Sequence, residues 1–456
     1  MKQHTNILPL LSKYDVPIPR YTSYPTVPYW EPQYVTPKNW LGAVARTFTN
    51  EQGRLSLYIH LPFCENLCTF CACNKRITKN HAVETPYLDA VLKEWQMYRA
   101  ALPSEPIIQE IHLGGGTPTF FSPQNLVHLV TQITQNAQIA PNHEFSVEVH
   151  PNYTTKAHLQ QLAAAGFNRI SLGVQDFDPV VQFIINRIQT FEKTAEVIEW
   201  ARTYGYHSVN VDLIYGLPRQ TPDSIAFTIA KINNLKPDRI AFYSYAHVPW
   251  KSKVQRRYTD EDLPKAAQKW QMYQLGRNLL LQNGFSAIGM DHFALPNDPL
   301  FTAAQQGNLH RNFMGYTTTQ NKLIIGLGAS SIGDAWTAFA QNEKDVATYQ
   351  TTIEQGNLPL VTGHLLTPQD LAIRQLILDL MCRGSAIIDQ SIFPPDMLPA
   401  IAEKLLLLQT DGLIEQHNHT VSVTDNGQLF IRNICSVFDV RLWQKQPQDV
   451  LFSKSI

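Results

Sequence analysis

Residues 58–75 read YIHLPFCENLCTFCACNK. Cys64, Cys68 and Cys71 stand in the spacing C-x3-C-x2-C, and Cys73 follows two places later. The run before them, Leu55–Leu61, is rich in residues that favour a strand. The cysteines therefore occupy a short loop after a strand. Three thiolates on such a loop can each bind a different iron of a cubic [4Fe–4S] cluster, leaving one iron without a protein ligand. An open coordination position is what substrate chemistry at a metal requires. Two other arrangements use the same residues: a structural zinc site with all four cysteines, or a closed cluster with Cys73 as fourth ligand. Zinc sites usually pair two short cysteine clips across a longer loop, so four cysteines within ten residues are cramped for a tetrahedron.

One strand–helix unit further on stands LGGGTPT, residues 113–119. Consecutive glycines let a backbone approach a ligand closely. A lone glycine run is often just a turn; its position after the cysteine loop gives it weight.

Outward from these motifs the chain alternates short strand-like runs with helical patterns. The strand candidates are Leu55–Leu61, Glu110–Leu113, Phe145–His150, Arg169–Val174, Ser208–Tyr215 and Arg239–Ala246. Helices are predicted to open at Thr85-Pro86, Ser122-Pro123, Thr155 and Thr221-Pro222, where a hydroxyl can cap and proline needs no donor. Six strand–helix units imply a parallel sheet, either open and doubly wound or an incomplete barrel. The first fifty residues read as irregular, and Pro- and Tyr-rich residues 14–36 as an extended arm across a folded surface. A helix is expected over 264–284, and Gly307–Ile332 reads as loop lining a site. From about residue 350 the pattern is helical: one helix opening at Thr367, one over 398–411, a small hairpin, and a last helix over about 426–445. That order is winged-helix-like. The expected division is an arm and lead-in (1–50), a catalytic domain (51–345) and a mainly helical C-terminal domain (346–456).

Composition limits the function classes. Lys plus Arg is 37 and Asp plus Glu is 38, a net charge of −1. That balance offers no argument for nucleic-acid binding, and residues 350–456 hold no basic run that would make the winged-helix-like end a DNA reader. Hydrophobic residues are 44% and charged residues 16%, which excludes a largely disordered chain. No apolar run approaches the ~18 residues of a membrane helix. The N-terminus lacks a secretory pattern, so a cytoplasmic protein is expected. Four of the six cysteines cluster, which suits a reducing compartment and metal chemistry, not a disulfide framework.

The cysteine loop and GGGTP together resemble the radical S-adenosylmethionine (SAM) superfamily, which carries C-x3-C-x2-C after the first strand of a partial (β/α)6 barrel. Its Gly-rich stretch meets the SAM amino group. Further stretches are similar to the oxygen-independent coproporphyrinogen III oxidases: RYTSYPT at 20–26, the C-x-C of Cys71 and Cys73, GVQDF at 173–177, Asn186-Arg187, VDLIYGLP at 211–218, YAH at 245–247, GMDHFA at 289–294, HRNF at 310–313, GYTT at 315–318 and IRNIC at 431–435. The likeness runs from about residue 14 to the C-terminus.

This resemblance implies the rest. Cys64, Cys68 and Cys71 match the cluster ligands. Tyr58, Phe70, Gly115, Gly116, Thr117, Glu148, Gln175, Arg187, Asp212, Ala246 and Ile332 match SAM-contacting positions, for two SAM molecules. Tyr58, Glu148 and Cys73 fall where catalysis is expected, and Cys73 is not a ligand. Arg20 and Tyr21 on the arm are candidates to hold the four-carboxylate substrate. The implied reaction is anaerobic: an electron from a flavodoxin or ferredoxin system cleaves SAM to a 5′-deoxyadenosyl radical, and two propionates of coproporphyrinogen III become the vinyls of protoporphyrinogen IX. A monomer without nucleic-acid or membrane partners is expected. The chain departs from the pattern in two places. Ala72 stands where glycine is usual, and His150 where Glu-Val-Asp-Pro has its aspartate. A haem-binding chaperone with the same motifs is the rival reading; such chaperones typically have Phe at the Cys73 position and lack the RYTSYPT arm.

Overall fold

Six runs of strand-favouring residues become six parallel strands, β1 (Arg54–Leu61), β2 (Ile107–Gly115), β3 (Gln138–Val149), β4 (Arg169–Gln175), β5 (Ser208–Tyr215) and β6 (Arg239–Ser244). The structure is a computed structural model describing residues 8–445 and 451–455. Residues 1–7, the start of the expected arm, lie outside the described residues. The six strands neighbour one another in chain order. A doubly wound sheet would reverse that order partway. Winding in one direction instead places the helices on one side and curls the sheet into a partial barrel.

The expected run after residue 284 forms β7 (Ser286–Ala287) and β8 (His292–Ala294), antiparallel beside β6. The segment Gly307–Ile332, expected as loop, holds a hairpin of His310–Asn312 with Gly315–Thr317 and a seventh parallel strand, β9 (Ile324–Leu327), against β1. All four residues of β9 are buried, so it has no alternation to reveal it. Strands β10 (Ile332–Asp334), β11 (Ala338–Asn342) and β12 (Leu360–Leu365) complete the twelve-stranded sheet. The sheet therefore runs past the division expected at 345.

Along β4, Ile170, Leu172 and Val174 are buried, while Arg169, Ser171, Gly173 and Gln175 between them are half-buried. Strand β5 repeats this with Val209, Val211 and Leu213 against Asn210 and Asp212. The apolar set packs under the helices. The alternate set is polar and lines the lumen, which is the reverse of a barrel filled by branched apolar side chains.

Helices Pro123–Thr134, Lys156–Ala164 and Pro222–Leu235 start at Ser122, Thr155 and Thr221, each accepting a backbone N–H. Thr85 is not a cap: its helix begins at Glu84, and Thr85-Pro86 lies in the first turn, where proline's missing donor costs nothing. The first fifty residues are not wholly irregular. Thr36 caps a helix over Pro37–Asn50, whose Trp40, Val44 and Phe48 are buried; Pro37, just past the proline-rich arm, sits where proline starts helices. Residues 15–36 do cross the surface without regular helix, burying Tyr21, Tyr24, Tyr29 and Trp30.

After β12 come helices Pro368–Arg383 and Leu398–Thr410 with a small sheet of Ser385–Ile387, Thr420–Val423 and Ile414–His417. The expected last helix breaks into Ile431–Ser436 and Val440–Gln444, because the Asp439 carboxylate accepts the Leu442 amide and starts a new helix. No helix among the described residues is long and apolar enough to cross a membrane.

Candidate active site

The cysteine loop leaves β1 at the C-terminal end of the barrel, where β/α barrels place chemistry. Pairing of Phe63–Cys64 with Arg76–Ile77 closes its base. Three distant segments hold its tip. The Thr69 amide donates to Ile185 O at 2.9 Å, and Asn186 Nδ2 to Leu67 O at 2.8 Å. Gln255, fully buried, donates Nε2 to Phe70 O at 2.7 Å, and Ser252 Oγ donates to Cys71 O at 3.1 Å. Ser252, Gln255 and Asn186 tie down the loop, and Ser252 and Gln255 lie in no motif that points to this role.

The thiols meet donors and cations. Thr117 Oγ1 donates to Cys64 Sγ at 3.4 Å, and Arg187 Nη1 to Cys68 Sγ at 3.5 Å. Lys75 Nζ donates to Cys71 O at 3.0 Å. Burial pushes the Cys64 thiol up to about 11. The hydrogen bond with Cys73 outweighs burial at Cys71 and brings it down to about 6, while Cys73, on the other side of that bond, is raised well above its usual range. The bare Cys64 thiol is thus held protonated, which a metal would reverse.

Lumen-facing residues form a chain across three strands. Tyr58 on β1 stands opposite His112 on β2, and His112 opposite Ser146 on β3. Ser146 Oγ lies 2.6 Å from His112 Nδ1, and His112 Nε2 lies 3.1 Å from Glu148 Oε1. The Tyr58 and His112 rings stack with centroids 5.9 Å apart. Asn74 O, 2.9 Å from His60 Nε2, fixes that ring's proton there, so Nδ1 accepts from Tyr58 Oη at 3.1 Å. Burial raises the Tyr58 phenol well above its ordinary value, with Glu148 and Cys73 adding to the shift. Burial also pushes the Glu148 carboxyl up, but the His112 hydrogen bond and the Gly115 amide outweigh it, and Glu148 stays below its ordinary value. Its side chain is 43% exposed to the lumen.

The glycine run works differently from an open cradle. Its amides are taken by protein: Gly115 N donates to Glu148 Oε2 at 3.3 Å, Gly116 N to Leu61 O at 2.8 Å and Thr117 N to Phe63 O at 2.9 Å. A Cβ on Gly116 would fall 2.7 Å from the Pro62 carbonyl, and one on Gly115, at φ +111°, 2.6 Å from the His60 ring. The glycines let this strand end press against the cysteine loop.

Arg187 is buried. It donates Nη2 to Gly173 O as well as Nη1 to Cys68, and its Nε is buried without a partner. A Cβ on Gly173 would stand 2.8 Å from both Arg187 Nη2 and Gln175 Nε2, so both side-chain ends would have to shift to admit one. Gln175 ends β4 with φ +70° beside a register shift that turns the strand end. Asp212 on β5 accepts Asn210 Nδ2 at 2.8 Å and Ser171 Oγ at 3.3 Å. Burial, then the charge of Glu148, raises its carboxyl to about 7. Phe70 packs beside Val181, Leu217, Tyr245 and Tyr258. Ala246, just past β6, gives its carbonyl to Gln255 Nε2 at 3.3 Å. Ile332 opens β10, whose backbone presses against Gly326 of β9. At His150 burial drives the imidazole well below 6.5, so it stands neutral; its Nδ1 accepts the Asn152 amide at 3.2 Å.

The two arm candidates part company. Arg20 reaches the rim, donating Nη2 to Ser244 O at 3.0 Å with Nη1 3.9 Å from Asp291. Tyr21 does not: its ring is buried and its hydroxyl donates to Asp439 at 3.1 Å, in the C-terminal domain. Sequence reading passed over His112 and held Phe313 only within the HRNF stretch, without a site role; Phe313 meets Tyr58 edge-on at 5.2 Å. The signal for His112 was the alternation Glu110, His112, Gly114 on β2.

The model of the Radical SAM superfamily matches residues 58–232. The oxygen-independent coproporphyrinogen III oxidase of Pseudomonas aeruginosa is 40% identical over 437 residues, covering 94% of this chain and 95% of the relative. That of Escherichia coli strain K12 is 40% identical over 444 residues, 96% of each chain. Synechocystis has a relative of the same name, 37% identical over 456 residues, 98% of this chain and 97% of its own. The solved structure described as coproporphyrinogen III oxidase (HemN) from Escherichia coli, a radical SAM enzyme, superposes with TM-score 0.87 at 39% identity, covering 95% of this chain and 98% of that one.

Proposed function

This chain belongs to the oxygen-independent coproporphyrinogen III oxidases of the radical SAM superfamily, and from that premise we propose that it converts two propionates of coproporphyrinogen III to vinyls, giving protoporphyrinogen IX. The observation that carries this reading is the convergence of Cys64, Cys68 and Cys71 with the Tyr58–His112–Glu148 chain at one barrel mouth. The family uses a [4Fe–4S] cluster and SAM, and the residues present suit both. Thr117 and Arg187 already aim hydrogen-bond donors at the sulfurs of Cys64 and Cys68.

Cys64, Cys68 and Cys71 would hold the cluster, three cysteines leaving one iron open for SAM. When bound, the cluster supplies the electron that splits SAM into methionine and a 5′-deoxyadenosyl radical able to take hydrogen from a propionate β-carbon. The protein's own part is orientation. With the Gly115–Thr117 amides engaged and Thr117 O taken by the Phe120 amide, the SAM ammonium, which needs acceptors, would meet the carbonyls of Gly115 and Gly116. Arg187 suits a SAM carboxylate. Glu148, Gln175 and Asp212 suit ammonium and ribose groups, and Phe70, Ala246 and Ile332 frame the adenine. A second SAM would be held beside Tyr58 and Glu148. Tyr58 and Cys73, both kept protonated, stand where they can direct the substrate without ionising. Arg20 binds a carboxylate at the rim. Each propionate loses a hydrogen atom, CO2 and one electron, so a one-electron acceptor is also required. The setting is the cytoplasm, with the enzyme a monomer.

The test is anaerobic. Reconstituted protein with reductant, SAM and coproporphyrinogen III is expected to yield protoporphyrinogen IX and 5′-deoxyadenosine, and Cys68→Ala neither. Haem retention without SAM cleavage would overturn the reading.

A further inference from the structure

The charge of this nearly neutral chain is unevenly placed. Three segments frame the cysteine loop's outer side: 66–80, 179–191 and 246–258. Together they hold eight Lys or Arg and no Asp or Glu. Residues 246–258 contribute Lys251, Lys253, Arg256 and Arg257, all exposed. Residues 66–80 add exposed Arg76 and Lys79 and half-buried Lys75; Arg187 is buried. Carboxylates resume only at the margins. Glu65 is half-buried with His81 3.7 Å away, Asp178 accepts the Val180 and Val181 amides, Glu192, Asp260 and Glu261 are exposed, and Asp262 is turned to Arg219 at 2.8 Å.

The same surface carries large apolar side chains in the open. On the helix Pro179–Ile184 and the turn after it, Val180, Phe183 and Ile188 are 59%, 66% and 64% exposed, and Trp250 is 47% exposed. This helix and the basic segment are joined through the cysteine loop. Thr69 Oγ1 and Tyr258 Oη both donate to Ile184 O, at 3.2 and 3.3 Å. Ser252 and Gln255 hydrogen-bond the carbonyls of Cys71 and Phe70. An apolar centre rimmed by one sign of charge is the make-up of a protein-docking face.

We propose that this face, built on Val180–Ile188 and Trp250–Arg257, docks a small acidic one-electron carrier protein that reduces the site. The proposal rests on the function assigned above, which needs one electron per SAM cleaved. Docking here places the carrier against the loop that bears the thiols. The carrier is oxidised by one electron and the site reduced by one. Carboxylates on the carrier meet Lys251, Lys253, Arg256 and Arg257, while an apolar rim around its redox group covers Phe183 and Trp250.

The probe is reduced flavodoxin, an acidic flavin carrier, used with loaded enzyme. Its binding, followed by fluorescence anisotropy, should weaken about tenfold as salt rises from about 50 to about 300 mM, since exposed charges are screened over about 8 Å at physiological ionic strength. The double variant Lys253→Glu, Arg257→Glu should weaken binding about tenfold or more and slow flavodoxin-driven SAM cleavage in proportion. With dithionite as reductant, the variant's SAM cleavage and its KM for coproporphyrinogen should match the wild type. Phe183→Ser should weaken binding without changing its salt dependence. Wild-type binding that ignores salt overturns the proposal without any variant, and so does a double variant that binds flavodoxin normally. A raised KM for coproporphyrinogen with dithionite would instead make this face a substrate rim. Failure of the functional reading looks different: dithionite-driven SAM cleavage with no porphyrinogen consumed, while flavodoxin binding keeps its salt dependence.

Discussion

Arg187 shows how much one side chain can join. Its guanidinium spans from Gly173 O to Cys68 Sγ, two groups that a lysine ammonium cannot reach together. Arg187→Lys should therefore keep the fold and most of the iron but slow SAM cleavage by about tenfold, ~1.4 kcal/mol, as read by 5′-deoxyadenosine yield against iron content. Asp212 carries a different signature. Burial raises its carboxyl from 3.8 to about 7, so in the SAM-free protein the folded state holds a proton that the unfolded chain has released. That contribution is fully present below pH 3.8 and is lost as pH rises through about 7. Asp212→Asn removes the loss, so the variant's Tm should gain on the wild type between about pH 4 and pH 7; a constant difference would show that Asp212 does not hold that proton.

Among the elements, the turn between β9 and β10 depends on groups well outside it. Glu94, fully buried on the helix Glu84–Ala101, accepts the Gly328 amide at 2.8 Å, Asn342 Nδ2 at 2.6 Å and Tyr349 Oη at 2.7 Å. Tyr87, about two turns away on the same helix, donates to His60 O at 2.7 Å and accepts the Ala329 amide at 2.9 Å. One helix thus sets the end of β1 against the start of β10, where Ile332 stands. Three donors converge on the Glu94 carboxylate, and an amide there would turn a donor toward donors. Glu94→Gln should cost about 1–3 kcal/mol in denaturant unfolding, together with a raised KM for SAM. Unchanged SAM binding in a destabilised variant would reduce this box to packing alone.

Across the whole molecule, the two chain ends are fastened together beside the barrel rim. The buried Arg432 guanidinium donates to the carbonyls of Ile18 and Pro19 on the arm and of Ser453, Lys454 and Ser455 on the tail. Pro17 bridges Lys454, and the Ser455 amide donates to Val16 O at 3.0 Å. This clasp holds the arm that delivers Arg20 to Ser244. Arg432→Met leaves those carbonyls without their donor. Trypsin should then cut after Arg20 about tenfold faster, and KM for coproporphyrinogen should rise, while SAM cleavage stays near wild type. An arm that stays protected would mean that its buried tyrosines hold it unaided.

The sequence by itself determined the elements and the chemistry they carry. Ser208–Tyr215 was readable to the residue, because alternation and β-branching are properties of contiguous residues. The cysteine spacing and the caps at Ser122, Thr155 and Thr221 are local for the same reason. Where local signals were absent or misleading, reading failed: β9 is short and buried throughout, and the Pro37–Asn50 helix hides behind a proline-rich lead-in. Tertiary structure alone decided which polar residues meet. His112 finds Glu148 across 36 residues, Arg187 finds Cys68 across 119, and Gln255 finds Phe70 across 185. It also sent Tyr21 to Asp439 and away from the site, and turned the glycine amides inward. Strand stagger and barrel curvature fix those partnerships, and both arise only when distant segments pack, so no stretch of neighbouring residues encodes them.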